Sequence, residues 1–236
     1  MVPPAIAATW LGRVPYREAW ALQKALVERR AAAEIGDQLL LLEHHAVLTI
    51  GKHGDEGHVL ASAAELDRRG IEVVRVERGG EVTYHGPGQL VAYPILRLAD
   101  RGLLVRPMVR ALEAAMIETC AAFGVVAERR DGEPGCWVAG DSPFPRKIGA
   151  LGLRIEHGVS YHGIALNVEP RLEDFELIDP CGMPGLVSTS IARELGRPAT
   201  VEPVARTFAE AFGTQLGAFI EWSSPTSLGL PAMAVG

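Results

Sequence analysis

The sequence predicts a mixed α/β (α+β) fold, in which helices pack on a mixed β-sheet. Residues 38–43 are a continuous apolar run of strand length, which is typical of a buried central strand. In residues 107–123, apolar side chains recur at spacings of three and four, which predicts an amphipathic helix. Residues 147–155 and 159–168 alternate and are joined by a hairpin. Because strands and helices interleave unevenly and with hairpins, we expect a mixed sheet rather than a doubly wound parallel one.

The other elements follow from local signals. Ser62 and Glu65 form a capping box, so a short helix runs to about Arg69 and stops at Gly70. The remaining predicted elements are extended or loose chain over 1–12, a helix over 16–33, strands over 46–50, 71–76 and 136–138, a short helix near 190–195 and a last helix over 202–219.

Composition limits the classes of protein that the chain can represent. Its 236 residues are 48% apolar, which is enough for one sizeable core. No apolar run approaches about 18 residues, so we expect no membrane span. The first residues lack the basic and apolar segments of a secretory signal, which favours the cytoplasm. The net charge of −6 makes nucleic acid an unexpected partner.

The three cysteines differ in their surroundings. They show no CxxC spacing, which argues against a disulfide framework and a zinc knuckle. Cys120 lies on the apolar stripe of a predicted helix, so we expect it in the core. Cys136 begins a short strand beside Trp137, so we expect it in the core or part-buried. Cys181 lies between Pro180 and Gly182, in a stretch without apolar periodicity. From its position alone, a functional role as a nucleophile and a role as an ordinary loop residue are equally open. A cysteine nucleophile would need a His or Lys that takes its proton.

The segment over residues 78–94 is the most unusual stretch of the chain. It holds four glycines together with Arg78, Thr83, Tyr84 and His85. A hairpin turn needs only one or two glycines and no such polar set, so we expect the segment to line a cavity rather than to form a long surface loop. The phosphate-binding patterns GxxxxGK[ST] and GxGxxG are absent, so no familiar ATP loop is predicted.

Lys147 and His85 are candidate proton acceptors. The chain has only three lysines, and Lys147 opens a strand with glycines at 149 and 152, where something is expected to approach the backbone closely. The alternatives are a solvated charge for Lys147 and a structural role for His85. No metal-ligand spacing occurs among the histidines, so no metal is expected.

Four ordered stretches carry a resemblance to a known family: residues 78–96, 147–155, 161–168 and 179–183. Together they resemble the octanoyl-(acyl-carrier-protein):protein N-octanoyltransferases, also called lipoyl(octanoyl) transferases or the lipoate biosynthesis protein B family. The resemblance covers about residues 35–195, and Ile164 stands where Leu is usual.

The resemblance implies a fold shared with biotin and lipoate protein ligases. It implies that Cys181 carries an acyl-thioester intermediate and that Lys147 lowers the pKa of this cysteine. The residues that it places at the acyl group are Arg78, Gly79, Gly80, Glu81, Val82, Thr83, Tyr84, His85, Ala150, Leu151, Gly152, Gly163, Ile164 and Ala165.

The partners implied by the resemblance are proteins. Octanoyl-acyl carrier protein would be the donor, and the acceptors would be lipoyl domains of 2-oxoacid dehydrogenase complexes and the glycine cleavage H protein. No cofactor, nucleic acid or membrane is expected. Two alternatives remain open from the sequence: an ATP-dependent lipoate or biotin ligase of the same fold, and an inactive binding module.

We predict three regions along the chain. Residues 1–180 would form the catalytic domain, residues 181–222 a small C-terminal part packed on it, and residues 223–236 a disordered tail rich in Ser, Pro, Gly and Ala. A cationic group of Arg129, Arg130 and Arg146 beside Lys147 is a candidate docking patch for an acidic donor protein, with solvated surface charges as the alternative.

Overall fold

The computed structural model describes residues 4–180 and 185–229. Its helices are α1 (Tyr16–Ala31), α2 (Ala63–Arg69), α3 (Val105–Ala122), α4 (Ile191–Leu195) and α5 (Val201–Gln215). Its strands are β1 (Ala5–Val14), β2 (Gln38–His44), β3 (Val47–Ile50), β4 (Glu72–Arg75), β5 (Val82–His85), β6 (Gln89–Ile95), β7 (Glu128–Arg130), β8 (Glu133–Val138), β9 (Arg146–Glu156), β10 (Val159–Asn167), β11 (Val187–Ser188) and β12 (Phe219–Ser223).

The described strands form two sheets. The large sheet has the order β12-β1-β2-β6-β10-β9-β8-β7, with β11 added beside β9, and the small sheet has the order β4-β3-β5. β1 runs parallel to both β2 and β12, whereas the pairs from β2 through β6, β10 and β9 to β8 are antiparallel. The predicted mixed sheet with packed helices is therefore confirmed.

Helices cover both faces of the large sheet, as the apolar run in β2 predicts. Leu39 and Leu41 belong to the core under α3 and α5, whereas Leu40 and Leu42 belong to the core under α1. Because successive side chains of a strand point to opposite faces, a strand with four consecutive leucines must be covered on both sides. The long helix predicted over 107–123 is confirmed as α3, and the predicted hairpin as β9 and β10.

Three elements differ from the sequence-based expectation. The segment over 78–94 contains two strands, β5 and β6, which belong to different sheets. The last helix ends at Gln215, because the left-handed Gly217 (φ 59°) turns the chain into β12. β1, predicted as loose or extended, is a paired strand between β2 and β12. The pairing with β12 joins Ala5 to Phe219, and no local signal reveals a contact between such distant residues.

The C-terminal region adds to the main core. Phe208 and Phe212 of α5 are buried in the same cluster as Met108 and Leu112 of α3. Residues 223–229, predicted to be disordered, instead end β12 and form a 3-10 helix (Pro225–Leu228) whose Leu228 packs into the core under α1. The boundary after residue 180 stays a prediction. None of the helices in the described part is long and apolar enough to cross a membrane.

Gly163 shows how tightly the strands around the centre of the large sheet are packed. A Cβ atom at this position would lie 2.0 Å from the carbonyl oxygen of Ala92 on β6. We expect Gly163→Ala to lower the free energy of unfolding by about 3 kcal/mol, because the added methyl must push two strands apart. Urea denaturation measures this change. The control Gly36→Ala places its methyl in open space, so its stability should stay within about 1 kcal/mol of wild type. Equal stability of both variants would contradict the predicted clash.

Candidate active site

A cleft of about 500 Å³ lies where β5 of the small sheet faces β9 and β10 of the large sheet. Most of the residues predicted at the acyl group line it, namely Arg78, Gly79, Gly80, Glu81, Val82, Thr83, His85, Ala150, Leu151, Gly152, Gly163, Ile164 and Ala165. Lys147 lines the same cleft. Residues from three separate stretches of sequence thus surround one space.

Arg78 holds the glycine-rich segment in place. Its buried guanidinium donates to the hydroxyl and carbonyl oxygens of Thr49 (2.8 and 2.7 Å from Nη2) and to the carbonyl oxygens of Gly79 and Glu81 (3.0 and 2.7 Å). A planar guanidinium has five N–H donors in a fixed arrangement and can bond several acceptors at once. A lysine ammonium at this position has three donors and could not bond all of these acceptors. The segment is therefore fixed to β3 by a charged group that is itself out of water.

Two glycines outside this segment let its backbone pack closely against β9 and the end of β3. A Cβ atom at Gly51 would lie 2.4 Å from the carbonyl oxygen of Gly80, and one at Gly152 would lie 2.5 Å from that of Gly79. The Gly79 N–H donates to the carbonyl oxygen of Leu153 (3.0 Å). The backbone N–H of Gly79 is therefore used by β9 and does not face the cleft. Glycine is needed here because one backbone lies directly on another.

A bulge in β9 turns Lys147 into the cleft. Cys136 pairs with Gly149 and Trp137 pairs with Lys147, so Ile148 is an extra residue opposite β8. Without this bulge, strand alternation would put Lys147 and Ala150 on opposite faces of the sheet. The Lys147 side chain is buried, and its Nζ lies 4.8 Å from the centre of the Trp137 ring. The ring face attracts the ammonium and helps to hold it at the cleft wall.

His85 has a defined tautomer. The side-chain N–H₂ of Gln89 donates to the Tyr84 carbonyl oxygen (3.2 Å) and to Oδ1 of Asn167 (2.9 Å), so its Oε1 must accept from Nδ1–H of His85 (2.7 Å). Burial, together with the nearby His44 and Arg78, holds the pKa of His85 well below its usual value. The imidazole is therefore neutral, and its Nε2 carries the free lone pair.

A second polar group in the cleft was not predicted from the sequence. Tyr16, Tyr93 and His162 line it and are buried, and the Tyr93 hydroxyl donates to Nε2 of His44 (2.7 Å). Burial lowers the pKa of His162 to about 3 and that of His44 to about 4. The signal in the sequence was the pair Tyr161 and His162, which interrupts the otherwise apolar stretch that forms β10. The cleft also takes in Val105 and Val109 of α3 and the β7–β8 turn.

Two predicted site residues are not in the described cleft. Tyr84 points away from it, because alternation along β5 puts its ring in the core of the small sheet, where its hydroxyl donates to Asp174 (3.0 Å). Cys181 lies outside the described residues. The strand that follows it, β11, pairs in parallel with β9 and brings Ser188 opposite Lys147.

The other two cysteines are core residues, as predicted. Cys120 and Cys136 are both fully buried. A hydrogen bond with Cys120, together with burial, holds the pKa of the Cys136 thiol well above its usual value. Because the thiolate is the reactive form, Cys136 is a poor nucleophile.

The arginines of the proposed docking patch are already paired. Arg129 contacts Glu113 (3.1 Å), Arg130 contacts Glu133 (3.4 Å) and Arg146 makes a two-point contact with Glu194 (3.0 Å for each hydrogen bond). These carboxylates offset the positive charge, which weakens the sequence-based argument for docking at this patch. Among the described residues, no three His, Cys, Asp or Glu side chains converge as metal ligands would.

Comparisons with known proteins agree on one family. Residues 15–213 match the lipoyl protein ligase A/B catalytic domain. An octanoyltransferase from Chloroflexus aurantiacus (strain J-10-fl) is 47% identical over 85% of this chain and 90% of its own length. An octanoyltransferase from Acidobacterium capsulatum is 46% identical over 95% of both chains.

Solved structures show the same fold at much lower identity. A lipoate-protein ligase A bound with ATP superimposes with a TM-score of 0.70 at 15% identity, over 97% of this chain and 91% of its own. A biotin protein ligase from Aquifex aeolicus in complex with biotin and ATP gives 0.54 at 12% identity, over 89% and 70%. The fold expected from the sequence is confirmed by these matches.

The buried neutral histidines predict how stability depends on pH. The folded-state pKa of His162 lies below its unfolded value of about 6.5, so the unfolded chain binds more protons and stability falls as the pH drops below 6.5. Removing this histidine should make the fall shallower. When the pH is lowered from 6.5 to 5, the free energy of unfolding of His162→Asn should fall by about 1.5 kcal/mol less than that of wild type. Urea denaturation at each pH measures this difference.

The matched control is His157→Asn. His157 also has a left-handed backbone (φ 51°, against 54° for His162), and asparagine tolerates this conformation. Its side chain is exposed and does not line the cleft. This variant should keep the wild-type slope, and an unchanged slope in His162→Asn would contradict the assignment of His162 as a buried neutral group.

Proposed function

The chain belongs to the lipoyl protein ligase A/B catalytic domain family and, within it, to the octanoyltransferases, and from this premise we propose that it moves an octanoyl group from octanoyl-acyl carrier protein to a lysine of lipoyl domains, through a thioester on Cys181. The protein is an acyltransferase of lipoate biosynthesis. The observation that carries the proposal is the cleft that joins Lys147 to the residues expected at the acyl group.

The proposed chemistry has two steps. The Cys181 thiolate attacks the carbonyl carbon of the donor thioester, the bond to the carrier sulfur breaks, and the carrier leaves as a thiolate that takes up a proton. The amine of the acceptor lysine then attacks the acyl-enzyme, the bond to Cys181 breaks and an amide forms. The first step exchanges one thioester for another and the second is downhill, so no nucleotide is needed.

Lys147 is the proposed proton acceptor. As an amine it takes the proton of the Cys181 thiol, and as an ammonium it stabilises the thiolate. In the second step it takes a proton from the attacking amine. Three features support this role: its burial, the bulge that turns it into the cleft, and the pairing that brings Ser188, seven residues after Cys181, opposite it.

The cleft walls suit an unbranched apolar chain. Ala150, Leu151, Ile164 and Ala165 offer apolar surface, and Gly152 and Gly163 add no side chains that would narrow the space. An alkyl chain placed here leaves water without the loss of a hydrogen bond, which is the usual source of binding free energy in such pockets.

The proposed partners are two proteins. The donor is octanoyl-acyl carrier protein, and the acceptors are lipoyl domains of 2-oxoacid dehydrogenase complexes and the glycine cleavage H protein. The relatives' name supports an octanoyl group as the transferred unit. An ATP-dependent ligase is not favoured, because the ATP-bound neighbour is only 15% identical and supports the fold alone.

Incubation with octanoyl-carrier protein in the absence of ATP should add one octanoyl group to the enzyme. Intact mass measures the adduct, and peptide mapping should place it on Cys181. Cys181→Ser should form no stable thioester. Cys120 and Cys136 remain in this variant as internal controls, since both are buried. An octanoyl group found on either of them, or a strict need for ATP, would refute the proposal.

Lys147→Arg should slow transfer by at least ~10²-fold, at the low end of general-base effects, because arginine keeps the charge but does not give up its proton near neutral pH. The transfer rate and the thermal midpoint are measured together, so that loss of folding is recognised. Lys24→Arg is the matched control. Lys24 also lies over a tryptophan, with Nζ 4.2 Å from the centre of the Trp20 ring, but it is not in the cleft. A rate near wild type for Lys147→Arg would remove Lys147 from the mechanism.

A further inference from the structure

Strand β11 is attached to the large sheet beside Lys147, at the place where β10 has ended. β10 pairs with residues 149–156 of β9, and β11 then pairs with Arg146 and Lys147. The N–H of Thr189, the next residue, donates to the carbonyl oxygen of Lys147 (3.0 Å). Strands of two residues are shorter than usual, so their few backbone hydrogen bonds hold them only weakly. Side chains around β11 therefore decide how firmly it is held.

Asn167, the last residue of β10, holds β11 from one side. Its Nδ2 donates to the carbonyl oxygen of Thr189 (2.9 Å), and its Oδ1 accepts from Gln89 (2.9 Å). All three residues are buried. Because one end of the amide donates and the other accepts, its orientation is fixed. Gln89 in turn accepts from His85, so one chain of hydrogen bonds runs from the cleft to β11.

Glu194 of α4 holds β11 from the other side. Its carboxylate accepts from the hydroxyl of Thr189 and from two N–H groups of Arg146 (3.0 Å each). Arg146 directly precedes Lys147 in β9. Hydrogen bonds to a charged group are stronger than those between neutral groups. One carboxylate thus ties the residue after β11 to the residue before Lys147.

The segment that contains Cys181 is attached at both ends. On the side before Cys181, the N–H of Asp179 donates to the carbonyl oxygen of His58 (2.8 Å), and Ile178 pairs with Val59. On the side after Cys181, the first attachment is β11. A chain fixed at both ends can place its residues in fewer positions than a free one. The second attachment is made on the backbone of Lys147 itself.

We infer that four side chains around β11 position Cys181 for proton transfer to Lys147, an inference that rests on the proposed roles of these two residues. None of the four lines the cleft, so they act on the reaction only through β11. Proton transfer needs the two groups within hydrogen-bond reach, and small displacements are costly. We call this group the β11 clamp, and its members are Arg146, Asn167, Thr189 and Glu194.

Thr189→Val tests the clamp, because it keeps the shape of the side chain and removes the hydroxyl that Glu194 binds. Iodoacetamide alkylation of Cys181 is followed by peptide mapping from pH 5 to 9. Wild type should react half-maximally well below the value of about 8.5 for an ordinary thiol. In the variant this midpoint should rise by about one unit, so that alkylation at pH 7 slows about tenfold. The kcat for transfer should fall by the same factor, with KM for octanoyl-carrier protein within about twofold of wild type.

Asn167→Asp is a second clamp variant of the same size. It replaces the N–H₂ group that bonds the Thr189 carbonyl by an oxygen, which repels that carbonyl, so the alkylation midpoint should rise here too. The matched control is Thr119→Val. Thr119 is also fully buried and its hydroxyl donates to the carbonyl oxygen of Ala115 (2.6 Å), but it is not in the cleft or the clamp.

The control separates positioning from stability. Thr119→Val should lower the thermal midpoint as a lost buried hydrogen bond does, and should keep the wild-type alkylation midpoint and kcat. A merely structural role of the clamp would leave the alkylation midpoint of its variants at the wild-type value. An unchanged alkylation midpoint in either clamp variant, or an equal shift in Thr119→Val, would overturn the inference.

Hydrogen exchange on wild type tests the clamp even if neither variant folds. The N–H of Thr189 should exchange as slowly as the paired N–H groups of β9 and β10, since the clamp holds it on Lys147. Exchange as fast as that of an exposed loop would overturn the inference. An absence of any octanoyl adduct on wild type would refute the proposed transfer instead. Alkylation and hydrogen exchange need no octanoyl group, so they still decide the role of the clamp.

Discussion

The arrangement of the cleft depends on the buried guanidinium of Arg78. It bonds Thr49 on β3 and two carbonyl oxygens of its own segment, and the next residue, Gly79, bonds β9 through its backbone. A buried charge is tolerated only when its donors are satisfied, so this segment has little freedom to move. The small sheet and the large sheet are held at one distance as a result, and the cleft between them keeps its width.

Two local irregularities in the strands of the large sheet bring polar side chains into the cleft. The bulge at Ile148 turns Lys147 into it from β9, and the left-handed His162 does the same from β10. In regular strands, strict alternation would decide which face of the sheet each of these two side chains is on, and both irregularities break that alternation. Ala150, Leu151, Ile164 and Ala165 add apolar surface, so one cleft combines a lysine, an apolar wall and neutral polar side chains.

The fold alone does not decide the chemistry. Lipoate and biotin ligases that bind ATP share this architecture at 15% identity or less. What separates this chain from them lies in the residues of the site, in keeping with the general rule that function resides in sites carried by common folds. The distinction proposed here is a cysteine that stores the acyl group as a thioester, which makes activation by a nucleotide unnecessary.

The sequence by itself determined the class of fold, the buried strand β2, helix α3 and the β9–β10 hairpin, because these depend on periodicity within one segment. The glycine-rich stretch with its polar side chains indicated a cavity at residues 78–94, and the resemblance to the family implied the further cleft residues at 150–152 and 163–165. The sequence did not predict that β1 pairs with β12. It also did not predict that Tyr84 lies outside the cleft or that Tyr16 and Tyr93 line it. Those facts depend on which distant segments meet, and on a bulge and a left-handed residue that shift the alternation of side chains. They were decided only by the tertiary structure, where packing between remote parts of the chain overrides the local pattern.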